Sequence, residues 1–506
     1  MAPEWLKKAV FYEIYPQSFY SPEGSGVGTL QGMIQKLDYV RDLGCNAIWL
    51  NPIYDSPFKD AGYDVRDYKL VAPRYGTNKD AAELFEEAHR KGMHVILDLV
   101  PGHTSEEHEW FKLSSKASQS ELSGRYIWTD SWFKGIPGRP YIGGECERDG
   151  TYMLNFFKCQ PALNYGWLDP SESWQSSMDS PEALATREAI KDVCRFWLKM
   201  GCDGFRVDMA DSLVKGDDDK HATARVWQDI LGAVKSEYPD SVFVSEWSNP
   251  YVSVGEAGFD MDFYLNHAGN GYNFLLRDYD TPGEDLSYFR SGSCVSCKKF
   301  MDQYMPAYEA IREKGYISLI SGNHDTPRIS HNLSAREQKI ALAFLFTMPG
   351  VPFLYYGDEI GMRYLDLPSF EGGYTRTGSR TPMQWDDKTL SSCLYLPCDS
   401  ASDAPTVASQ LKVHDSMLNT VRSILSIRNN NNSLNADSSL EILFCNDNSP
   451  LLIYRRGDLK IAVNPSVNEV SERTDIGTCK PLWSIGEGRC EDGIIRMKPQ
   501  SFVIFK

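Results

Sequence analysis

At 506 residues, 42% of them hydrophobic and 24% charged, the chain is long enough for roughly two to four domains and ordinary enough in composition to fold as a soluble globule. A net charge of −17 without any long Lys or Arg run argues against nucleic-acid and anionic-membrane partners, because no patch can neutralise phosphates, and points to a neutral small ligand. The 12 Trp and 27 Tyr suit stacking on flat ligand faces, although most aromatics in any protein are core residues.

The N-terminus, MAPEWLKKAVFYEIYPQSF, lacks an apolar core followed by a small-residue cleavage site, so no secretory leader is expected. The 12 cysteines are scattered through a large chain, with one isolated CxxC at Cys294 and Cys297; reduced thiols and a cytoplasmic location are the expectation. The most apolar stretch, 340–356, is interrupted by PGVP and is too short to span a bilayer comfortably.

Short, continuously apolar runs recur along the chain: AVFYEIYPQSF, AIWLNPI, HVILDLV, GFRVDMA, VFVSEW, FDMDFY, YISLISGNHD and VPFLYYGDE. Such runs are what parallel strands buried on both faces look like. Between the second and third, NKDAAELFEEAHRKG (78–92) has a polar start, apolar residues at helical spacing and Gly92 as a stop. Eight strands alternating with helices predict an α/β fold, a (β/α)8 TIM barrel. The third and fourth strands lie about a hundred residues apart, far more than one helix needs, so an inserted subdomain rich in Trp, Tyr and Gly is expected after strand 3. Past RNNNNSLNADSS (428–439) the pattern turns to EILF, LLIYRR, KIAVNPS and SFVIFK, the mark of a C-terminal antiparallel β domain. The expected division is barrel 1–101, inserted subdomain 102–165, barrel 166–430 and β domain 431–506.

Chemistry in such a barrel happens at the C-terminal strand ends. There the sequence places Asp98 with His103 beyond it, Arg206 and Asp208, Glu246, and His324 with Asp325. Any one acid at a strand end is ordinarily a cap or an ion-pair partner. Acids at four strand ends of one face are costly, and call for a purpose. Paired carboxylates at an aromatic-lined mouth suit glycosidic-bond chemistry, with one carboxyl protonated and another ionised. Arg206, two residues before Asp208, points to the same side of its strand and would hold Asp208 ionised, as a nucleophile requires. Glu246, after apolar VFV and beside Trp247, would have a raised pKa suited to acid/base work.

The motifs GYDVRDY at Gly62, DLVPGHT at Asp98, QPALNY at Gln160, GFRVDM at Gly204, SEW at Ser245, NHDTPR at Asn323, YYGDEIGM at Tyr355 and SRTPMQWDD at Ser379 occur in this order. Together they resemble the α-amylase family of glycoside hydrolases, most closely its α-glucosidase and oligo-1,6-glucosidase branch. The resemblance implies the same barrel, inserted subdomain and β domain, and a retaining mechanism. It implies Asp208 as nucleophile, Glu246 as general acid/base and Asp325 as transition-state stabiliser. His103, Arg206 and His324 would grip the sugar, with Tyr63 stacked beneath it. Asp64 and Arg328 match positions that close the non-reducing end in exo-acting members; if they pair, the site is a pocket for short oligosaccharides. The partner is then a small α-glucoside, and no cofactor is expected.

In that branch the loop after strand 1 binds a divalent ion through alternating acids. Here Ser21, Ser25 and Thr29 stand at those positions, and neutral hydroxyls are poor ligands for a hard cation. A second family site uses an Asn just before the His of DLVPGHT, where this chain has Gly102. No structural metal is therefore expected, and no phosphate cradle either, since no P-loop Lys follows the glycines. Met209, after the nucleophile position, departs from the residues that separate α-1,4 from α-1,6 specialists in the branch. Glucosyl transfer, sucrose hydrolysis, isomerisation and phosphorolysis use the same three carboxylates and stand as alternatives. A non-catalytic transporter-partner or scaffold role is disfavoured by the intact carboxylates.

Overall fold

The computed structural model describes residues 2–22, 26–265, 269–278, 281–386, 395–474 and 476–506. Eight parallel strands form one sheet: β1 (Phe11–Ile14), β2 (Ala47–Leu50), β3 (His94–Leu99), β4 (Gly204–Val207), β5 (Val242–Ser245), β6 (Met261–Phe263), β7 (Tyr316–Ser318) and β8 (Phe353–Tyr355). Each pairs with its neighbour from β1 to β7, and β8 pairs with β1. The circle closes where Ile320 bridges Phe353 and the Ser321 N–H donates to Phe353 O at 2.9 Å. All eight match the apolar runs read from the sequence. They are buried on both faces because helices cover the outside and their own side chains fill the inside.

Helices such as α1 (Leu30–Leu43), α2 (Asn78–Arg90), α3 (Pro181–Met200) and α4 (His221–Glu237) surround the sheet. The helix pattern read at 78–92 is α2; Thr77 and Asp80 form a capping box at its start, supplying partners for otherwise orphaned N–H groups. Thr29, one of the expected ligand positions, is the N-cap of α1 and accepts from Gly32 N at 3.0 Å. Gly28 is fixed by close approach, since a Cβ there would lie 2.1 Å from Pro16 O. Glu23, Gly24 and Ser25 of the same loop lie outside the described residues.

Between β3 and β4 the chain forms a helix at Glu109–Ser114 and a two-stranded ribbon, Tyr141–Gly143 with Thr151–Met153, before α3. After the barrel come β9 (Leu440–Cys445), β10 (Leu452–Arg456), β11 (Leu459–Asn464), β12 (Val470–Arg473), β13 (Pro481–Ile485), β14 (Gly488–Glu491), β15 (Ile494–Met497) and β16 (Ser501–Phe505). They make antiparallel sheets ordered β9-β10-β11-β16-β13 and β12-β15-β14. The four strands anticipated from the sequence are β9, β10, β11 and β16. Of the other four, β12, β13 and β14 escaped because they are largely solvent-exposed, and VSER and GRCE carry no apolar alternation. Tyr454 and Arg456 of β10 bond Thr347 of a barrel helix, so the β domain docks through hydrogen-bonded contacts as well as apolar ones.

Candidate active site

Strands β3, β4 and β5 end on Asp98, Arg206 with Asp208, and Glu246. Arg206 is fully buried and forks between all three acids. Its Nη1 donates to Asp98 Oδ1 (2.6 Å) and Asp208 Oδ1 (2.9 Å), and its Nη2 lies 2.6 Å from Glu246 Oε1. Asp98 also accepts from Trp49 Nε1 (2.8 Å) and Tyr63 OH (3.2 Å). The second Glu246 oxygen accepts from the backbone N–H of Met209 at 2.8 Å. Met209 takes a left-handed conformation, φ 41°, which turns its N–H toward Glu246. Behind the Glu246 turn, buried Asp262 accepts from Ser245 Oγ (2.7 Å) and from the N–H groups of Trp247 and Ser248, fixing the direction in which Glu246 leaves its strand.

Beyond β7, the His324 ring is held between two carboxylates, with Nδ1 2.9 Å from Glu13 Oε1 and Nε2 3.2 Å from Asp325 Oδ2. Tyr63 stacks on that ring, centroids 5.2 Å apart and 11° from parallel. Asp325 Oδ1 receives Arg376 Nη1 (2.8 Å) and Arg380 Nη2 (3.0 Å). His103 is fixed by the Tyr63 carbonyl (3.2 Å) and Asn155 Nδ2 (3.1 Å).

The electrostatics follow from burial. Glu13, Asp60, Asp98, Asp208, Glu246 and Asp325 outnumber the local cations Arg206, His324, Arg376 and Arg380 by two, so the cluster keeps protons that free carboxyls would lose. Burial and the neighbouring Glu246 raise Asp208 well above the carboxylate range, with Arg206 opposing them. Burial raises Glu246 too, again against Arg206. Burial likewise moves Glu13 up to about 7 and Asp60 to about 6. Asp325 goes the other way: despite burial, His324, Arg376 and Arg380 hold it well below the usual range. Burial works against the charge on His324, but Asp325 and Glu13 prevail and raise it to about 9. His103 has no such partner, and burial lowers it to about 4.

These groups border a cavity of about 320 Å³ lined by Tyr63, His103, Asp208, Glu246 and Asp325, with Phe156, Met209, Trp247 and Leu265 as its apolar surfaces. Asp64 and Arg328 do not meet across it. Asp64 is buried and folds its own loop, accepting from Ser56 Oγ and from the N–H groups of Lys59 and Asp60. Arg328 is buried on Asp358 Oδ1 (3.1 Å) and Tyr356 O (2.7 Å). Arg376, paired with Asp325, also lies 3.7 Å from Asp60, and all three line the cavity. Asp60 is oriented by Gln160 Nε2 at 2.8 Å.

The structure brings Tyr63, His103, Arg206, Asp208, Glu246, His324 and Asp325 into one place, where the sequence reading expected them, together with Glu13, Asp60, Arg376 and Arg380, which that reading did not single out. Gln160 and Arg380 lay inside quoted motifs without a role. Glu13 had a signal of its own, a lone acid within a continuously apolar strand, which burial makes costly.

Beside His103, a Cβ on Gly102 would lie 2.6 Å from Asn155 Nδ2, so this position has no room for the longer side chain of a metal ligand without rearrangement. The fully buried Lys215 ammonium, lowered to about 7 by burial, bonds the Ser212 carbonyl nearby and helps lower His103.

The family described as "Alpha amylase, catalytic domain" matches residues 13–437. The chain belongs to the alpha-amylase family. An oligo-1,6-glucosidase of Heyndrickxia coagulans is 32% identical, covering 92% of this chain and 93% of its own length. The trehalose synthase/amylase TreS of Mycolicibacterium smegmatis is 30% identical over 84% of this chain and 76% of its own. Among solved structures, an alpha-glucosyl transfer enzyme, XgtA, superposes with a TM-score of 0.81 at 25% identity, covering 100% of this chain and 99% of the other. As a member of the alpha-amylase family, similar over most of its length to an oligo-1,6-glucosidase, the chain is a glycoside hydrolase. Among the described residues, no helix is long and apolar enough to cross a membrane.

Proposed function

We propose that the chain is a retaining, exo-acting α-glucosidase that removes glucose from the non-reducing end of short α-glucosides. The observation that carries this reading is the Arg206 fork on Asp98, Asp208 and Glu246 at the wall of a cavity bordered by the Asp60–Arg376 pair. The Asp60–Arg376 pair at one side of a cavity of about 320 Å³ supports a site for a terminal sugar, and so exo action on small substrates.

Asp208 attacks the anomeric carbon as the bond to the leaving oxygen breaks, and Glu246 gives that oxygen its proton. Arg206 disperses the negative charge of both carboxyls and keeps Asp208 available as an anion once Glu246 holds the proton. In the second half, Glu246 takes a proton from water, which attacks the glycosyl-enzyme and releases Asp208. Asp325, ionised by its three cationic neighbours, receives sugar hydroxyls and stabilises the positive charge on the ring. His324, charged at neutral pH and buried behind the cavity, holds Asp325 ionised and in place, while Tyr63 stacks beneath the sugar.

A second reading, glucosyl transfer or isomerisation, draws support from the likeness to the trehalose synthase/amylase and the alpha-glucosyl transfer enzyme. It differs only in whether water or a second sugar meets the intermediate. Incubating the protein with maltose, isomaltose and sucrose in the presence of EDTA, with products resolved by chromatography, tests both. Glucose release from maltose or isomaltose is expected, and proton NMR should show α-glucose first. Products larger than the substrate at high sugar would favour transfer. No turnover of any of the three would overturn the glucosidase reading.

A further inference from the structure

At the opposite end of the barrel, β3 begins at His94, and Asp203 immediately precedes β4. His89 lies in the last turn of α2; its Nε2 is 2.8 Å from Asp203 Oδ2, and His94 Nδ1 is 2.9 Å from Asp203 Oδ1. We propose that His89, His94 and Asp203 form a binding site for one borderline divalent cation of the zinc class, at the base of the barrel and separate from the sugar cavity.

The donor set is the first argument. Two imidazoles and one carboxylate, with their ligand atoms all within 4.8 Å of one another, suit zinc, cobalt or nickel, and suit calcium or magnesium poorly, since those take oxygen ligands almost exclusively. This is the one such cluster of three among the described residues. Tetrahedral zinc with bonds near 2.1 Å sets its ligand atoms about 3.4 Å apart. The contraction needed is therefore of order 1 Å, and His89, at a helix end with 42% of its side chain exposed, has room to supply it.

Support around the ligands is the second argument. Trp5 stacks on the His94 ring at 3.9 Å and 13°, holding Nδ1 toward Asp203. Asp203 Oδ2 accepts from the Val95 N–H at 2.7 Å, and the Asp203 backbone N–H donates to Val95 O at 2.8 Å, so strand register fixes the carboxylate from both sides. Outer contacts of this kind orient metal ligands and raise affinity. Openness is the third argument. His94 and Asp203 keep 29% and 16% of their side chains exposed, which leaves solvent free to complete the coordination shell.

Each imidazole already points a ring nitrogen at the carboxylate. A divalent ion between the three groups would take the place of the protons they now share.

The test is zinc titration of the whole chain after chelator treatment and desalting, read by competition with a chromogenic zinc indicator, alongside His89→Ala and Asp203→Asn. The parent is expected to bind one zinc per chain at micromolar concentration, and each variant to bind at least about 10-fold more weakly. Excess magnesium should leave the parent's binding unchanged. Circular dichroism establishes that both variants fold; His89 is exposed, so its replacement decides the matter even should Asp203→Asn prove unstable. The proposal is overturned by absence of stoichiometric binding to the parent, by unchanged affinity in His89→Ala, or by displacement of zinc by magnesium.

Discussion

At the C-terminal ends of β3 and β4, Asp98, Arg206 and Asp208 are shut away from water, while at the N-terminal ends of the same strands His94 and Asp203 stand partly open to it. Both ends gather charged groups of both signs within hydrogen-bonding range. At the mouth, acids outnumber cations and burial removes the solvent that would relieve them, so Asp208, Glu246, Glu13 and Asp60 all keep their protons to higher pH. At the base, Asp203 is lowered instead: His89 and His94 overcome the burial that would raise it. A proton ready to be given and a carboxylate ready to attack exist where charge is left unbalanced in a dry place.

The sharpest way to break this comparison is to remove the nucleophile. Asp208→Asn should lower glucose release by about 10⁴-fold or more, as loss of a covalent nucleophile does in other hydrolases, while thermal unfolding stays close to the parent's because a crowded acid has been neutralised. Residual activity within tenfold of the parent would show that Asp208 is not the attacking group. Removing the cation at the centre should act on both properties. Arg206→Ala leaves Asp98, Asp208 and Glu246 without their shared partner, and stability should fall by about 3–5 kcal/mol in urea unfolding, together with loss of activity. An activity loss with unchanged stability would mean that the surrounding hydrogen bonds already satisfy these acids.

Arg376→Ala tests the wall of the cavity. It removes a charge from Asp325 and the partner of Asp60, and kcat/KM on maltose should fall about 10²-fold, with the KM of longer maltooligosaccharides falling relative to maltose as the closed end opens. An unchanged chain-length preference would place the closure elsewhere.

How much of this was legible in the sequence depended on distance along the chain and on burial. Strands buried on both faces write themselves as apolar runs, so the barrel and the strand-end acids could be read directly. Asp60 and Arg376 could not be paired in advance. They are more than three hundred residues apart, Asp60 sits in a turn and Arg376 in a short 3-10 helix (Tyr374–Ser379), and Asp64, inside the more recognisable GYDVRDY motif, looks equally suitable until its carboxylate is seen turned into its own loop. Arg328 misled for a similar reason, as its motif position says nothing of the Asp358 carboxylate that captures it. The cluster at the base escaped notice because His89, His94 and Asp203 belong to no shared motif; only the parallel register of β3 against β4 brings them together.

Glu13 offers a finer test at the mouth. Glu13→Gln keeps the shape and a hydrogen-bond acceptor but removes one of the two carboxylates that keep His324 charged. His324, raised to about 9, loses its proton as pH climbs through that value. The alkaline limb of kcat/KM should accordingly move to lower pH in the variant, with less than about tenfold change near pH 6, where the imidazole of either form stays charged. An alkaline limb that does not move would show that Asp325 alone sustains the charge.

The smallest effect is expected at the base, measured with a chelator present. Its hydrogen bond to Asp203 raises His89 above the ordinary histidine value against a lesser effect of burial, and Asp203 is lowered. A raised histidine contributes its stability in full below its unfolded pKa, near 6.5, and loses it as pH rises through the folded value. A lowered carboxylate contributes above its unfolded value, near 3.9, and loses its share as pH falls. The pair is therefore strongest between these limits, around pH 5 to 6. His89→Ala should lower stability there by about 0.5 kcal/mol or less, since an exposed partner is well screened, and the difference from the parent should shrink toward zero as pH rises through the raised folded value of His89. A deficit that stays constant across this range would mean that His89 packs against the base and its charge contributes nothing. A deficit several times larger would mean that the base, like the mouth, is held by charges that water does not reach.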